Sequence, residues 1–350
     1  MSRNKSSNLK IMFVTNSLTG GGAERATNVL VNALFDEGID VVLMAINNGP
    51  KDLVLPKCKV YEIGRNWQGN LLDTLKAFLR VQFIVFKSKP SIIVLNCDLP
   101  EFLGSFLVHN GNVVVVEHAA RPWPTRTFLG KVIRFIHRVR GANFVAVSSH
   151  LSIWPKAIAP AAFFPNAIDL STLTYSREEK SSGDTRLIHV GRLVESKQPE
   201  WVLEISKRTD VPCVFIGVGP LENRMRDRSD HDGIEAEFLG QASNPYELFN
   251  PHDLLLISSQ NEGDGLVLIE AVALRIPFLI YDIIDFAKFK IPSSNKCSEI
   301  AEFERKVMAY KRGEIDLQLS ELDRLRILQD RNPKFVANLW LDFFQTIIKS

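Results

Sequence analysis

Cysteine is scarce in this 350-residue chain. The four residues, Cys58, Cys97, Cys213 and Cys297, lie far apart and fit no metal-ligand or redox spacing. A disulfide framework is therefore not expected, and free thiols in a reducing compartment are. Long apolar runs are missing too: none reaches the roughly 18 residues of a membrane span. The opening MSRNKSSNLK is polar and passes straight into IMFVTN, without the apolar core of a signal peptide, so a cytoplasmic location is expected. Three consecutive glycines, Gly20, Gly21 and Gly22, do not spell G-x-G-x-x-G, so a dinucleotide site is not implied. No metal constellation is evident. Asp230-His231-Asp232 has an Asp-x-Asp spacing, but it lies in the very polar run Arg224 to Asp232 and reads as a solvated turn. No nucleic-acid-binding motif occurs, and no nucleic-acid partner is expected.

What the chain does have is an ordinary globular composition, 45% apolar, and a length that suits two domains. Its net charge of +2 conceals an asymmetry. The first 168 residues hold 19 Lys and Arg against 10 Asp and Glu, and the remainder hold 23 against 30. A basic first half points to an anionic surface or substrate.

Strand and helix patterns alternate through that first half. Strands are expected at Lys10 to Asn16, Val41 to Ile46, Ser91 to Leu95, Asn112 to Glu117 and Phe144 to Ser148. Helices are expected at Ala23 to Asp36 and Leu71 to Lys87. Such alternation argues a parallel, doubly wound sheet. The glycine turn after the first strand would let a phosphate or sugar approach the backbone, or serve as a plain βα turn. His118 follows Val113–Glu117 directly, at the carboxyl end of a parallel strand, where ligands bind in open α/β sheets. Arg121 to Arg140 interleaves six cations, Arg134 and Arg138 among them, with Trp123, Phe128, Phe135 and aliphatic residues. It reads as a basic amphipathic helix suited to an anionic bilayer, or as a surface helix with its apolar side on the sheet.

A polar stretch, Ser171 to Asp184, reads as the linker. Alternation then restarts, with strands at Leu187–Val190, Cys213–Ile216, Glu237–Leu239, Leu254–Ile257 and Pro277–Tyr281, and helices at Pro199–Lys207 and Leu221–Arg228. After the first of these strands come Gly191, Arg192 and Lys197, two cations that suit a diphosphate. Gly217 opens a second glycine turn. The tail from Ile300 is helical in pattern, broken near Gly313 and Pro333, and its last helix is expected to return to the first domain.

The densest signal is Ser258 to Leu274, SSQNEGDGLVLIEAVAL. A buried strand feeds a polar loop, and an apolar helix starts just after Gly265. The unpaired amides of a helix start suit a phosphate. Glu262 lies in the loop, and Glu270 lies eight residues on among apolar neighbours. A carboxylate in that setting needs a partner. A pair of sugar hydroxyls would serve; the alternatives are solvent or Arg275.

Together these residues resemble the family 4 retaining glycosyltransferases: GGGAER at Gly20, Glu117-His118, FPNAID at Phe164, HVGRLVESK at His189, GVGP at Gly217, and Glu262 with Glu270 as E-x7-E. The resemblance spans nearly the whole chain and implies an α/β architecture, two Rossmann-like doubly wound domains facing across a cleft, the GT-B fold. The domains would be residues 1–168, on the acceptor side, and 169–333, on the nucleotide-sugar side, with 334–350 packing back on the first. By resemblance, Arg192 and Lys197 would bind the donor diphosphate. Glu262 would touch the donor sugar, beside Gly263, and Glu270 the ribose. Amides at Gly265 and Leu266 would cap the phosphate, with Gly191 and Gly217 near it. His118 would face the sugar, while Gly21 and Gly22 would line the diphosphate and acceptor region. The donor would be a UDP- or GDP-linked hexose and the acceptor lipid-linked or a polysaccharide. Neither a cofactor nor a metal would be needed, and the chain would sit on the inner face of the cytoplasmic membrane.

Two departures stand out. Asp264 occupies a position usually aromatic in the family, and Tyr281 to Phe286 replaces a glycine-rich turn. Both bear on the choice of donor. Two other readings remain open from the sequence: a nucleotide-sugar 2-epimerase-like enzyme, and a non-catalytic nucleotide-sugar-binding relative.

Overall fold

The computed structural model describes residues 9–18, 21–49, 56–119, 123, 126–148, 154–173, 175 and 184–349. Gly20, Arg121 and most of the linker Ser171 to Asp184 lie outside the described residues. The chain divides into two compact units, one of Met1–Ile168 with Asp330–Ser350 and the other of Asp169–Gln329.

The first unit runs β1 (Lys10–Thr15), α1 (Gly22–Asp36), β2 (Asp40–Asn47), β3 (Lys59–Arg65), α2 (Leu71–Ser88), β4 (Ile92–Asn96), α3 (Asp98–Gly104), β5 (Asn112–Glu117), α4 (Thr127–Val139), β6 (Asn143–Ala146) and β7 (Ala162–Phe163). The sheet is parallel, in the order β3-β2-β1-β4-β5-β6-β7. β1, β4 and β5 read KIMFVT, IIVLN and NVVVVE because both faces of a parallel sheet are covered. On one face Val31 and Leu34 of α1 meet Phe13, Val94 and Val145; on the other Ala77, Val81 and Val85 of α2 and Leu103 of α3 meet Met12, Val14 and Ile93. The last helix of the chain, numbered below, joins the α1 face. It lays Trp340 against Phe13 and Phe164 and ion-pairs Lys334 with Glu37.

The second unit runs β8 (Leu187–Val190), α5 (Pro199–Thr209), β9 (Cys213–Ile216), α6 (Glu222–Asp232), β10 (Ala236–Gly240), β11 (Leu254–Ile257), α7 (Leu266–Ala273), β12 (Phe278–Tyr281), β13 (Lys296–Cys297), α8 (Ile300–Lys311) and α9 (Glu321–Leu328); α10 (Pro333–Lys349) then returns to the first unit. Its sheet is parallel, ordered β10-β9-β8-β11-β12-β13. β8 and β11 are neighbours at its centre, each with all or most residues buried. In both sheets the strand order reverses beside the first strand, which makes two doubly wound units.

The structure corrects two readings. Asp230-His231-Asp232 form the last turn of α6, which ends at Gly233 in the left-handed region, φ 66°. The helix buries only Met225 and Ser229, so its apolar pattern is too thin to read, and ion pairs such as Arg226–Glu222 at 2.9 Å support it from outside. Asp232 is engaged by His231 and Lys207, whose hydrogen bonds hold its carboxyl down at about 2. The second correction concerns α4. Arg134 is only 1% exposed, so it is no part of a solvated basic face.

Candidate functional site

In the second unit the chemistry gathers in the loops that leave β8 and β11, which are adjacent strands of one sheet. The β8 loop turns at Gly191, φ 146°, and continues through Arg192 to a short 3-10 turn, Glu195–Lys197. The β11 loop is stapled to it. Ser258 Oγ donates to the carbonyls of Lys197 and Gln198, at 2.9 Å each, and the Gln260 amide donates to the Ser196 carbonyl. The two loops that hold the expected cations and carboxylates are thus one cross-linked structure.

Within it Lys197 Nζ donates to Glu262 Oε1 at 2.5 Å, and Ser259 Oγ donates to the same oxygen at 2.7 Å. The Glu262 amide donates to Asp285 Oδ2 at 2.6 Å, which anchors the loop to the segment after β12. Both donors thus converge on one carboxylate oxygen of Glu262. Arg192, by contrast, is exposed, and its guanidinium has no carboxylate partner among the described residues. Gly265 caps α7 with φ 74° and ψ 45°, a conformation open to glycine, and brings no side chain to the first amides of the helix. The 3-10 turn holding Lys197 is thus joined to a loop that ends in a helix start.

Glu270, on α7, is 4% exposed. Tyr246, fully buried in a 3-10 turn at Pro245–Leu248, donates its hydroxyl to Glu270 Oε2 at 2.7 Å. The Arg275 alternative fails: that side chain pairs with Glu321 at 2.9 Å. Tyr246 is a partner of this candidate site residue that sequence reasoning missed, because nothing in a 24-residue separation marks the contact.

The departures noted in the sequence prove to be coupled. Asp264 is 4% exposed and takes an ion pair from Lys288 at 2.8 Å. Lys288 comes from the segment after β12, in the 3-10 stretch Ile284–Phe289. From the same stretch Phe286 lies against Gly265: a Cβ there would sit 3.0 Å from its ring. The acidic residue in the loop and the altered segment thus supply each other's partners. Gly263 lies between Glu262 and Asp264 in this loop.

Gly217, expected near the donor phosphate, also has a packing duty. Its φ is 147°, and a Cβ would lie 1.9 Å from the Gly191 carbonyl oxygen, so the space beside it is taken by the β8 loop. His189 is buried, and burial first, with Lys197 nearby, pushes its imidazole down to about 3. It is a neutral packing residue.

In the first unit, Gly21 caps α1 in extended conformation and Gly22 begins the helix, which has no side-chain cap. His118 follows β5, and its Nε2 lies 2.9 Å from Asn96 Oδ1, at the end of neighbouring β4. The Asn96 carbonyl oxygen can only accept, so Nε2 is the donor in this contact. Asn96 Nδ2 is buried without a hydrogen-bond partner among the described residues. Both residues line a small cavity with Thr27, Pro165 and Trp340. Behind it, Arg134 Nε meets Glu101 Oε1 at 3.1 Å and its Nη1 meets Glu117 Oε2 at 2.8 Å. Trp123 and Trp154 donate to the same two carboxylates. Burial pushes Glu101 up to about 7 despite Arg134. Arg134 is spent inside, which explains why it cannot serve a surface. Among the described residues no group of three His, Cys, Asp or Glu could hold a metal ion.

Residues 174–291 match the family model for Glycosyl transferases group 1. The chain is 23% identical over 285 residues to a Campylobacter jejuni enzyme, GalNAc-alpha-(1->4)-GalNAc-alpha-(1->3)-diNAcBac-PP-undecaprenol alpha-1,4-N-acetyl-D-galactosaminyltransferase, covering 77% of this chain and 78% of that one. Among solved structures, Anabaena HepE in complex with UDP and glucose matches with a TM-score of 0.80 at 15% identity, over 97% of this chain and all of that one. Sucrose-phosphate synthase of Thermosynechococcus elongatus matches with a TM-score of 0.78 at 15% identity, over 97% and 99%. The fold, two parallel-sheet α/β units, is that of the GT-B glycosyltransferases.

Proposed function

We propose that this chain is a retaining glycosyltransferase that moves a hexosyl group from a UDP- or GDP-linked sugar to a lipid-linked or polysaccharide acceptor in cell-surface glycan synthesis. The observation that carries this reading is the cross-linked loop pair of the second unit. It holds an Arg192 with no carboxylate partner among the described residues, a Lys197 engaged by Glu262, and the first amides of α7. A nucleoside diphosphate supplies what each lacks: charge for Arg192 and Lys197, acceptors for the amides. The Campylobacter jejuni relative, named for a glycan on undecaprenyl diphosphate, supports a lipid-linked acceptor.

In the proposed reaction Lys197 exchanges Glu262 for donor phosphate. Glu262 then accepts from a hydroxyl of the donor sugar, with Ser259 holding its other side. Glu270, oriented by Tyr246, accepts from ribose hydroxyls. The glycosidic C–O bond to phosphate breaks as the acceptor oxygen adds on the same face, and the departing phosphate oxygen takes the acceptor's proton. Arg192, Lys197 and the α7 amides stabilise the charge that develops there, which is positioning and electrostatic catalysis without a protein nucleophile or a metal. The Lys288–Asp264 pair would act on the choice of sugar.

The test is an assay of labelled UDP- and GDP-sugars against polyprenyl-diphosphate glycans, with and without chelator. Chelator-insensitive transfer with retention at the anomeric carbon is expected, and Lys197→Ala is expected to lower it at least about 100-fold. An epimerised donor without transfer would refute the reading.

A further inference from the structure

Helix α2 is apolar on two sides. Ala77, Val81 and Val85 pack on the sheet. Away from it, Leu71, Leu72, Leu75, Leu79, Phe83 and Phe86 are exposed, by 52 to 83% each. A second, exposed apolar face of this size marks an interaction surface. At about 100° per residue these six side chains fall in one arc of roughly 120°, and Lys76, Arg80 and Lys87 occupy the roughly 40° beside it. Helix α4 repeats the arrangement. Phe128, Val132, Phe135 and Val139 are exposed in one arc, with Lys131 and Arg138 along its edge.

The two helices are fastened to the same loop. Gln82 of α2 donates to the Val108 carbonyl and accepts from its amide, both at 2.8 Å. Arg140, just past α4, donates to the carbonyls of Ser105 and Leu107. Phe106 and Val108 of this loop are 52% and 75% exposed. The apolar surface therefore runs from α2 through the loop to α4. Of carboxylates, α2 has only Asp73, engaged in its capping box, and α4 has none.

We infer that α2, the Phe106–Val108 loop and α4 form one monotopic membrane-docking face, seated in the headgroup layer of an anionic bilayer. This rests on the reading of the chain as an enzyme acting at a membrane, and it moves the main anchor from the expected basic helix to α2. Apolar side chains enter the acyl boundary, and the flanking lysines and arginines meet lipid phosphates. No helix among the described residues is long and apolar enough to cross. Charge complementarity selects a lipid surface over a second copy, because like-charged rims would meet in a symmetric pair.

Flotation of the full chain with vesicles, either pure phosphatidylcholine or with roughly one-third phosphatidylglycerol, tests this. The wild type is expected to float with the anionic vesicles. Leu79→Asn with Phe83→Asn should weaken that by more than about tenfold, leaving Tm and nucleoside-diphosphate affinity unchanged. Lys76→Glu with Lys87→Glu, which keeps the apolar arc, should weaken binding to the anionic vesicles selectively. Phe128→Asn with Phe135→Asn should act like the α2 pair. The inference is overturned if the wild type stays with neither vesicle, if the α2 variants float like wild type, or if the chain sediments as a dimer that the α2 changes dissociate. Loss of sugar transfer with flotation intact would instead defeat the enzymatic reading alone.

Discussion

Glu262 is held by two donors on one oxygen, and Glu270 by a tyrosine. These carboxylates sit in differently built places, and so their substitution should have different signatures. Glu270 is buried and oriented by Tyr246, so Glu270→Ala should weaken nucleotide binding at least about tenfold by calorimetry, the loss of hydrogen bonds to a charged acceptor. Tyr246→Phe should show a smaller fraction of that loss with a Tm within a few degrees of wild type. Equal affinity in both variants would remove Glu270 from the ribose role. The need of Glu270 for a partner was legible in the sequence, since its neighbours are apolar. The identity of the partner was not, because Tyr246 reaches it through tertiary packing. The same holds for Asp264: its charge was visible, whereas Lys288 became visible only when the segment after β12 folded beside it.

At the scale of elements, α4 shows what an amphipathic pattern conceals. Periodicity places Arg134 beside the cations of a helix, but two buried glutamates and two tryptophans claim it. Arg134→Met should therefore cost about 3–5 kcal/mol, because two carboxylates are left in a dry site. Arg138→Glu on the exposed side should cost under about 0.5 kcal/mol. Thermal unfolding of both variants checks the contrast. The short strands β7 and β13 carry too few residues for a pattern, and β3 alternates with charges at a sheet edge, so none of the three was read from sequence. The longer buried strands, such as β1, β4 and β11, were, because a parallel sheet covered on both faces demands unbroken apolar runs.

Acid should separate the two units. His189 in β8 has its pKa depressed to about 3, so its contribution is present above the unfolded value near 6.5 and is lost as pH falls toward 3. In the first unit Asp98, Glu101 and Glu117 are all raised by burial, so their contribution is largest at low pH and is lost as pH rises, through about 7 for Glu101. They oppose His137, depressed to about 4, and His109, which is also lowered. Hydrogen exchange corrected for intrinsic rates should show β8 amides opening on the order of tenfold more readily at pH 5 than at pH 7. Those of β4 and β5 should change less. His189→Gln should flatten the β8 profile.

For the whole molecule, two doubly wound units and a final helix returning to the first follow from ordinary rules of chain connection. Alternating patterns made both sheets legible, and the Trp- and Phe-rich last helix announced that it must be buried. The charge division between the halves was legible as well, but its use was not. The exposed apolar arc of α2 emerges only when the sheet has claimed the other side of that helix. The account as a whole turns on the loops leaving β8 and β11. Its most direct test is calorimetric titration of UDP and GDP into the wild type and into Arg192→Ala with Lys197→Ala. At least one nucleotide should bind the wild type, with affinity falling at least about 100-fold in the double variant. Equal affinity in the two proteins, or no binding of either nucleotide to the wild type, would contradict the claim that this pair of cations receives the donor's phosphates.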